Sequence, residues 1–297
     1  MPVPTLFSGC ATALVTPFLS GGAIDKAALR HLIQLQLDAG IDALVLLGTT
    51  GEPSTLTMEE RERIILIAHD VLKGQIPLIV GTGSNDTHNA IQFAKQAQNL
   101  GAQGQLIVTP YYNKATQAGL VRHFSAILDS CSLPAIFYNV PSRTGMSISA
   151  QTAAELSSHP NAAGIKEASG SVSLAADILH LTHGELPLYC GNDELILPLM
   201  ALGAKGAISV CSNAAPVLTK SLTHACLENR FIHAREIYHS LLPLIQALFT
   251  QVNPIPVKAA LAMMELIGDE LRLPLTPLEE PYRQNLKKTL KHLHLIS

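Results

Sequence analysis

The chain has 297 residues, of which 47% are hydrophobic and only 14% charged, with no tryptophan. That is enough chain for one large core or two modest ones. A net charge of −3 gives no basic footprint for nucleic acid, and although the mean hydropathy is positive, no stretch approaches the ~18 consecutive apolar residues that a membrane span needs.

The 12 histidines are scattered, with no pairing on a helix face that would suit a metal. Met1-Pro2-Val3-Pro4 lacks a basic region followed by an apolar core, so no signal peptide is expected. Cys10, Cys131, Cys190, Cys211 and Cys226 form an odd set without Cys-x-x-Cys spacing. They read as reduced, mostly buried thiols of a cytoplasmic protein, with Cys190 and Cys211 as strand-end fillers.

In chain order, Cys10 to Thr16 is an apolar run closed by Thr16-Pro17, a strand and its stop. From Asp25 to Ala39 the apolar residues Leu29, Leu32 and Ile33 fall at helical spacing, and Gly40 ends the segment. Ala43 to Leu47 reads as a second strand, continuous rather than alternating. Thr57 and Glu60 form a capping box for a helix that places Ile64, Ile67, Ala68, Val71 and Leu72 on one face. Further strands are expected at 77–80, 105–108, 135–138, 163–166, 188–190 and 207–210, with helical segments between them.

Short apolar strands without alternation belong to a parallel sheet buried on both faces. Eight strand–helix units in this length predict an α/β fold, a (β/α)8 TIM barrel over residues 1–227. A doubly wound open sheet is the alternative, but no Gly-x-Gly-x-x-Gly follows any strand. Residues 228–297 carry no strand signal and read as a helical extension of three helices. One ends near Gln251, one starts after Asn253-Pro254-Ile255-Pro256 and one follows Pro277. The extension is expected to pack on the barrel or on a partner subunit.

Chemistry in such barrels sits at the C-terminal ends of the strands. The unusual polar residues fall there: Gly48-Thr49-Thr50-Gly51-Glu52, Gly81-Thr82-Gly83-Ser84-Asn85, Thr109-Pro110-Tyr111-Tyr112, Tyr138-Asn139-Val140-Pro141-Ser142-Arg143, and Gly191-Asn192-Asp193-Glu194. In Gly164-Ile165-Lys166-Glu167 a buried strand delivers a lysine to the same rim. A buried ammonium is costly, and the neutral amine that burial favours is a nucleophile suited to imine formation with a carbonyl. The bland reading is a strand-end lysine reaching solvent. A buried tyrosine such as Tyr138 can give and take protons. Vicinal threonines offer one hydroxyl for a proton relay and one for a substrate carboxylate, and Arg143 offers a fork for a second carboxylate. Glu167 points to the other side of the strand from Lys166 and is expected to be a charge partner in the barrel wall.

Gly48-Thr49-Thr50-Gly51-Glu52, Tyr138-Asn139-Val140-Pro141-Ser142-Arg143-Thr144-Gly145, Gly164-Ile165-Lys166 and Gly206-Ala207-Ile208-Ser209-Val210 together resemble the dihydrodipicolinate synthase family, one of the pyruvate-dependent class I aldolases that include N-acetylneuraminate lyase. The resemblance runs from Thr16-Pro17 to Asn253-Pro254-Ile255-Pro256-Val257-Lys258. It implies that Lys166 forms an imine with pyruvate, that Tyr138 is the central proton donor and acceptor, and that Thr49 links it to Tyr112 entering from a neighbouring subunit. It further implies that Thr50 binds the pyruvate carboxylate in a pocket lined by the backbone of Ile208. Arg143 then binds the carboxylate of the second substrate, aspartate 4-semialdehyde. No metal or organic cofactor is implied, and a homotetramer, a dimer of dimers, is. Rival functions are a sugar-acid lyase on the same scaffold, against which Arg143 argues, and a barrel kept for binding alone, against which the relay set argues.

One departure concerns regulation. Lysine-inhibited members of the family usually carry His, His and Glu where this chain has Met58, Arg61 and Asn89. A neutral amide replaces the acidic acceptor and Arg61 adds a positive charge, so weak or absent inhibition by lysine is expected. Ala204 stands where the family often has a second glycine, with only a local backbone effect expected.

Overall fold

The apolar runs become the eight strands of a closed parallel barrel, ordered β1 to β8 with β1 pairing β8. The structure is a computed structural model that describes residues 5–297, so the expectation at Met1–Pro4 lies outside the described residues. The strands are β1 (Gly9–Ala13), β2 (Ala43–Leu46), β3 (Leu78–Gly81), β4 (Gly104–Val108), β5 (Ala135–Asn139), β6 (Ala162–Glu167), β7 (Leu188–Cys190) and β8 (Gly206–Ser209). Between and after them run α1 (Lys26–Asp38), α2 (Met58–Leu72), α3 (Thr87–Asn99), α4 (Gln117–Asp129), α5 (Pro141–Thr144), α6 (Ala150–Ser157), α7 (Val172–Leu181), α8 (Ile196–Ala201) and α9 (Pro216–Leu227). The chain then continues through α10 (Phe231–Leu248), α11 (Ile255–Met263) and α12 (Glu280–His292). Among the described residues no helix is long and apolar enough to cross a membrane.

Local sequence sets these boundaries. Asp25 accepts from the Ala28 N–H at the start of α1, and Thr57 and Glu60 make both bonds of the capping box on α2, each of which satisfies backbone donors that a helix start leaves open. The first strand ends three residues earlier than its apolar run suggests. Leu14, Val15 and Thr16 stay buried; the Leu14 N–H makes a last bond to Val45 O on β2, while the Val15 N–H and the Thr16 hydroxyl turn to the Asn213 side chain and Gly51 O. Burial continues past the ladder, and burial is what the run of apolar residues records.

Alternate residues on each strand face two different cores. Inward residues such as Ala11, Val45, Ile79, Ile136, Tyr138 and Ile208 form one buried cluster inside the barrel. Outward residues pack under the helical ring. The floor of the interior is closed by Tyr189, which stacks on Phe7 with 4.4 Å between ring centroids and donates to Phe7 O at 2.9 Å. Gly164 leaves that ring its space, since a Cβ there would lie 2.9 Å from Tyr189 Cε2.

The extension packs on the barrel of its own chain. Helix α10 lies against α9 and α8, and α12 against α10 and α11. Its hold on the barrel mouth is polar. Lys258 on α11 donates to Glu52 at 2.7 Å with both side chains fully buried. Arg272 donates to Glu60, to Thr55 O and to Gly22 O, and its guanidinium stacks over Phe18, 4.5 Å from the ring centroid.

Candidate active site

Lys166 and Tyr138 occupy matched positions on the neighbouring strands β6 and β5. Both face inward, both are buried, and Lys166 Nζ lies over the Tyr138 ring, 4.3 Å from its centroid. The lysine has room because residue 191 is glycine: a Cβ there would lie 3.0 Å from Lys166 Cε and 2.7 Å from Ala168 Cβ. Among the described residues Lys166 has no carboxylate partner within salt-bridge distance.

A cavity of about 640 Å³ opens at this rim, lined by Thr49, Tyr138, Arg143, Tyr111, Asn253 and Arg61 among others. Thr49 and Thr50 lie on a single turn of 3-10 helix, Thr49–Gly51, set between two left-handed residues, Leu47 at φ 56° and Glu52 at φ 54°. Thr50 is buried, and its Oγ1 accepts from Asn253 Nδ2 at 3.0 Å. Arg143, on the short helix α5, is exposed to the cavity and donates from Nη2 to Asn253 O at 2.9 Å. Ile208 is fully buried in the same interior cluster as Tyr138. Just beyond it, the N–H groups of Val210 and Cys211 are both held by Asp193 Oδ2, at 3.0 and 2.8 Å. Burial pushes the Asp193 carboxyl above its ordinary range.

Of the expected site residues Thr49, Tyr138 and Arg143 line the cavity, and Lys166, Thr50 and Ile208 lie buried behind its wall, whereas Tyr112 points away from it. It is 94% exposed, with a left-handed backbone at φ 70°, while its neighbour Tyr111 lines the cavity. A non-glycine residue held at positive φ with its ring in solvent is unusual.

Glu167 requires a correction. It does face away from Lys166, across from Asn139 on β5, but it is no charge partner. Its carboxylate accepts from Asn139 Nδ2 at 2.7 Å and from the Ser169 N–H at 2.6 Å. An amide and a backbone donor satisfy it, and the pair ties β5 to the loop after Lys166. The thiols of Cys190 and Cys211 are pushed up by burial and are filling groups rather than nucleophiles.

Two features escaped the sequence reading. Lys258 is a second buried lysine, flanked by Ile255, Val257 and Ala259, so the criterion that singles out Lys166 also applies to it. Its ion pair with Glu52 separates the two in chemical role. Asn253 was visible only as part of a motif, yet it bonds both Thr50 and Arg143.

Arg61, also on the cavity wall, is buried, stacked 4.1 Å from the Phe93 centroid and bonded to Gly81 O at 2.7 Å. Burial lowers its guanidinium to about 10. Met58 and Asn89 line the same cavity, and neither brings a carboxylate to it. Ala204 is buried and has no positive φ; the left-handed residue is Gly203, at +110°.

The sequence matches the model of the Dihydrodipicolinate synthetase family over residues 6–293. A 4-hydroxy-tetrahydrodipicolinate synthase of Exiguobacterium sibiricum is 49% identical over 286 residues, 96% of this chain and 98% of that protein. One from Alkaliphilus oremlandii is 47% identical over 291 residues, 98% of this chain and all of that protein. The crystal structure of a chloride-inhibited dihydrodipicolinate synthase from Acinetobacter baumannii in complex with pyruvate superposes with a TM-score of 0.96 at 42% identity, covering 97% of this chain and 99% of that one. With the closed barrel and the ordered motifs at its rim, these full-length matches place the chain in the dihydrodipicolinate synthetase family.

Proposed function

We propose that the protein condenses pyruvate with L-aspartate 4-semialdehyde to give 4-hydroxy-tetrahydrodipicolinate, a step of lysine and diaminopimelate biosynthesis, through an imine on Lys166. The observation that carries this reading is a buried lysine, without a carboxylate partner among the described residues, packed on a buried tyrosine that lines the rim cavity together with Thr49 and Arg143. The Lys166 amine adds to the keto carbon of pyruvate, and loss of water leaves the protonated imine. Loss of a methyl proton gives the enamine, whose carbon attacks the aldehyde carbon while the aldehyde oxygen takes up a proton. The amine of the aldehyde substrate then adds to the imine carbon, closes the ring and displaces Lys166.

Each proton moves through Tyr138, relayed by Thr49 to Tyr112 of a second copy. The exposure of Tyr112 supports that role, because a ring in solvent is free to enter a neighbour. Thr50 and the backbone of Ile208 hold the pyruvate carboxylate, and Arg143 holds the carboxylate of the aldehyde as a bidentate fork. The protonated imine is the electron sink, so the scheme uses no metal and no organic cofactor. We take residues 1–227 as the catalytic barrel and 228–297 as an extension that completes its mouth, working in the cytoplasm as a homotetramer.

Intact mass after incubation with pyruvate and borohydride tests the chemistry. A single reduced pyruvate adduct on the native protein, absent from Lys166→Ala, is expected. No adduct on the folded native protein removes the mechanism. Turnover with aspartate semialdehyde, and none with a sugar acid, separates a synthase from a lyase.

A further inference from the structure

Asn253 reaches the site from the turn between α10 and α11, outside the barrel strands. It is 93% buried by its 7% exposure and lines the same cavity as Tyr138 and Arg143. Its two halves do different work. The side chain donates from Nδ2 to Thr50 Oγ1 at 3.0 Å. The main-chain oxygen accepts from Arg143 Nη2 at 2.9 Å. Its Oδ1 is buried and has no hydrogen-bond partner among the described residues.

The chemistry of the Thr50 contact is directional. An amide nitrogen can only donate, and a hydroxyl carries one proton beside its lone pairs. With a lone pair occupied by Asn253, the Thr50 hydroxyl keeps its proton for another acceptor. A carboxylate can only accept. We infer that Asn253 is a positioning residue for the keto-acid subsite: its side chain fixes Thr50 as a donor to the substrate carboxylate, while its backbone oxygen independently aims Arg143 at the second carboxylate. This rests on the reading of Thr50 and Arg143 given above. Rigidity comes from the next helical turn, where Lys258 is anchored on Glu52, two residues beyond Thr50.

The division between side chain and backbone makes the inference testable without losing both subsites at once. In Asn253→Ala the pyruvate concentration for half-maximal borohydride trapping on Lys166, and KM for pyruvate, rise by about 10- to 100-fold, the range of one hydrogen bond to a charged group. KM for the aldehyde stays within about threefold, because the backbone oxygen remains. Thr50→Val gives a similar rise for pyruvate. Adding Asn253→Ala to Thr50→Val changes it by no more than about twofold, since both act through one hydroxyl.

Three results overturn the inference: an unchanged pyruvate dependence in Asn253→Ala, equal rises in both KM values, or effects that multiply in the double variant. If Asn253→Ala is unfolded by thermal melting, the isosteric Asn253→Asp replaces it in the same cycle. An acceptor-only carboxylate takes up the Thr50 proton, and that loss disappears in the Thr50→Val background. A native protein that traps no pyruvate removes the parent mechanism whatever Asn253 does. A native protein that traps pyruvate beside an unshifted Asn253→Ala removes only this inference.

Discussion

The ion pair between Glu52 and Lys258 allows a direct test of how the extension holds the active-site loop. The Glu52 and Lys258 side chains are 1% and 0% exposed, and the ammonium also lies over Phe18, 4.3 Å from the ring centroid. Burial pulls the Lys258 ammonium down and Glu52 opposes that pull. In Lys258→Met the stem length is kept and the charge is lost. Glu52 is left buried with a single long bond, at 3.3 Å from the Arg272 N–H, and with no ion-pair partner except the more distant field of the Arg272 guanidinium. Removing one member of a buried pair costs about 3–5 kcal/mol. At about 2–4 °C per kcal/mol for a chain of this size, the melting temperature falls by roughly 6–20 °C. Adding Glu52→Gln removes the stranded charge and restores more than half of the loss. Scanning calorimetry of the native chain, both single variants and the double variant reads this. Borohydride trapping below the transitions keeps its pyruvate adduct in Lys258→Met, because the proposed nucleophile is the other buried lysine, Lys166. A melting temperature for Lys258→Met within about 2 °C of native refutes the energetic argument. An adduct lost in Lys258→Met but kept in Lys166→Ala reverses the assignment of the two lysines.

Three shorter expectations accompany it. Gly191→Ala places a Cβ 3.0 Å from Lys166 Cε; overpacking of about 1–3 kcal/mol should slow imine formation about tenfold or more, and an unchanged trapping rate counts against the crowding argument. Inhibition by free lysine should be weak or absent, because Met58, Arg61 and Asn89 on the cavity wall offer an ammonium a guanidinium and no carboxylate; half-loss at low-millimolar lysine or below would sink this. His123 is buried on α4, bonded through Nδ1 to Thr87 at 2.9 Å with Nε2 unpartnered, and burial outweighs the opposing pull of Asp86 to hold its imidazole below the ordinary value. The unfolded chain therefore takes up a proton first as pH falls, so this residue's share of stability is present above about 6.5 and is lost as pH drops through its lowered folded value. Melting temperatures between pH 8 and pH 5 should fall more steeply for the native chain than for His123→Gln, and parallel curves would contradict that.

Sequence pattern carried the barrel because every strand is buried on both faces, so each strand appears as a continuous apolar run with its polar residues gathered at one end. The errors share a cause. The run Leu14–Thr16 overshot β1 because apolar sequence reports burial and not ladder bonding. Glu167 was given a charged partner because sequence shows a carboxylate and not the Asn139 amide across the next strand. Lysine in apolar sequence selects two residues, Lys166 and Lys258, and no local pattern ranks them. The distinction is the carboxylate at 2.7 Å from Lys258, contributed by a residue 206 positions away.

The same separation explains Asn253. Its partners Thr50 and Arg143 lie 203 and 110 positions earlier, so only closure of the barrel reveals that one residue serves both. The consequence for mechanism is that the rim is not a set of independent groups carried by independent loops. Thr50 and Glu52 sit on one short turn, and the extension grips that turn through Asn253 and again through Lys258, while the same Asn253 holds the helix of Arg143. In the proposed reading, a substrate carboxylate bound at either position therefore meets donors whose orientation is already fixed. That is how a barrel with loops at its mouth can present a preorganised site.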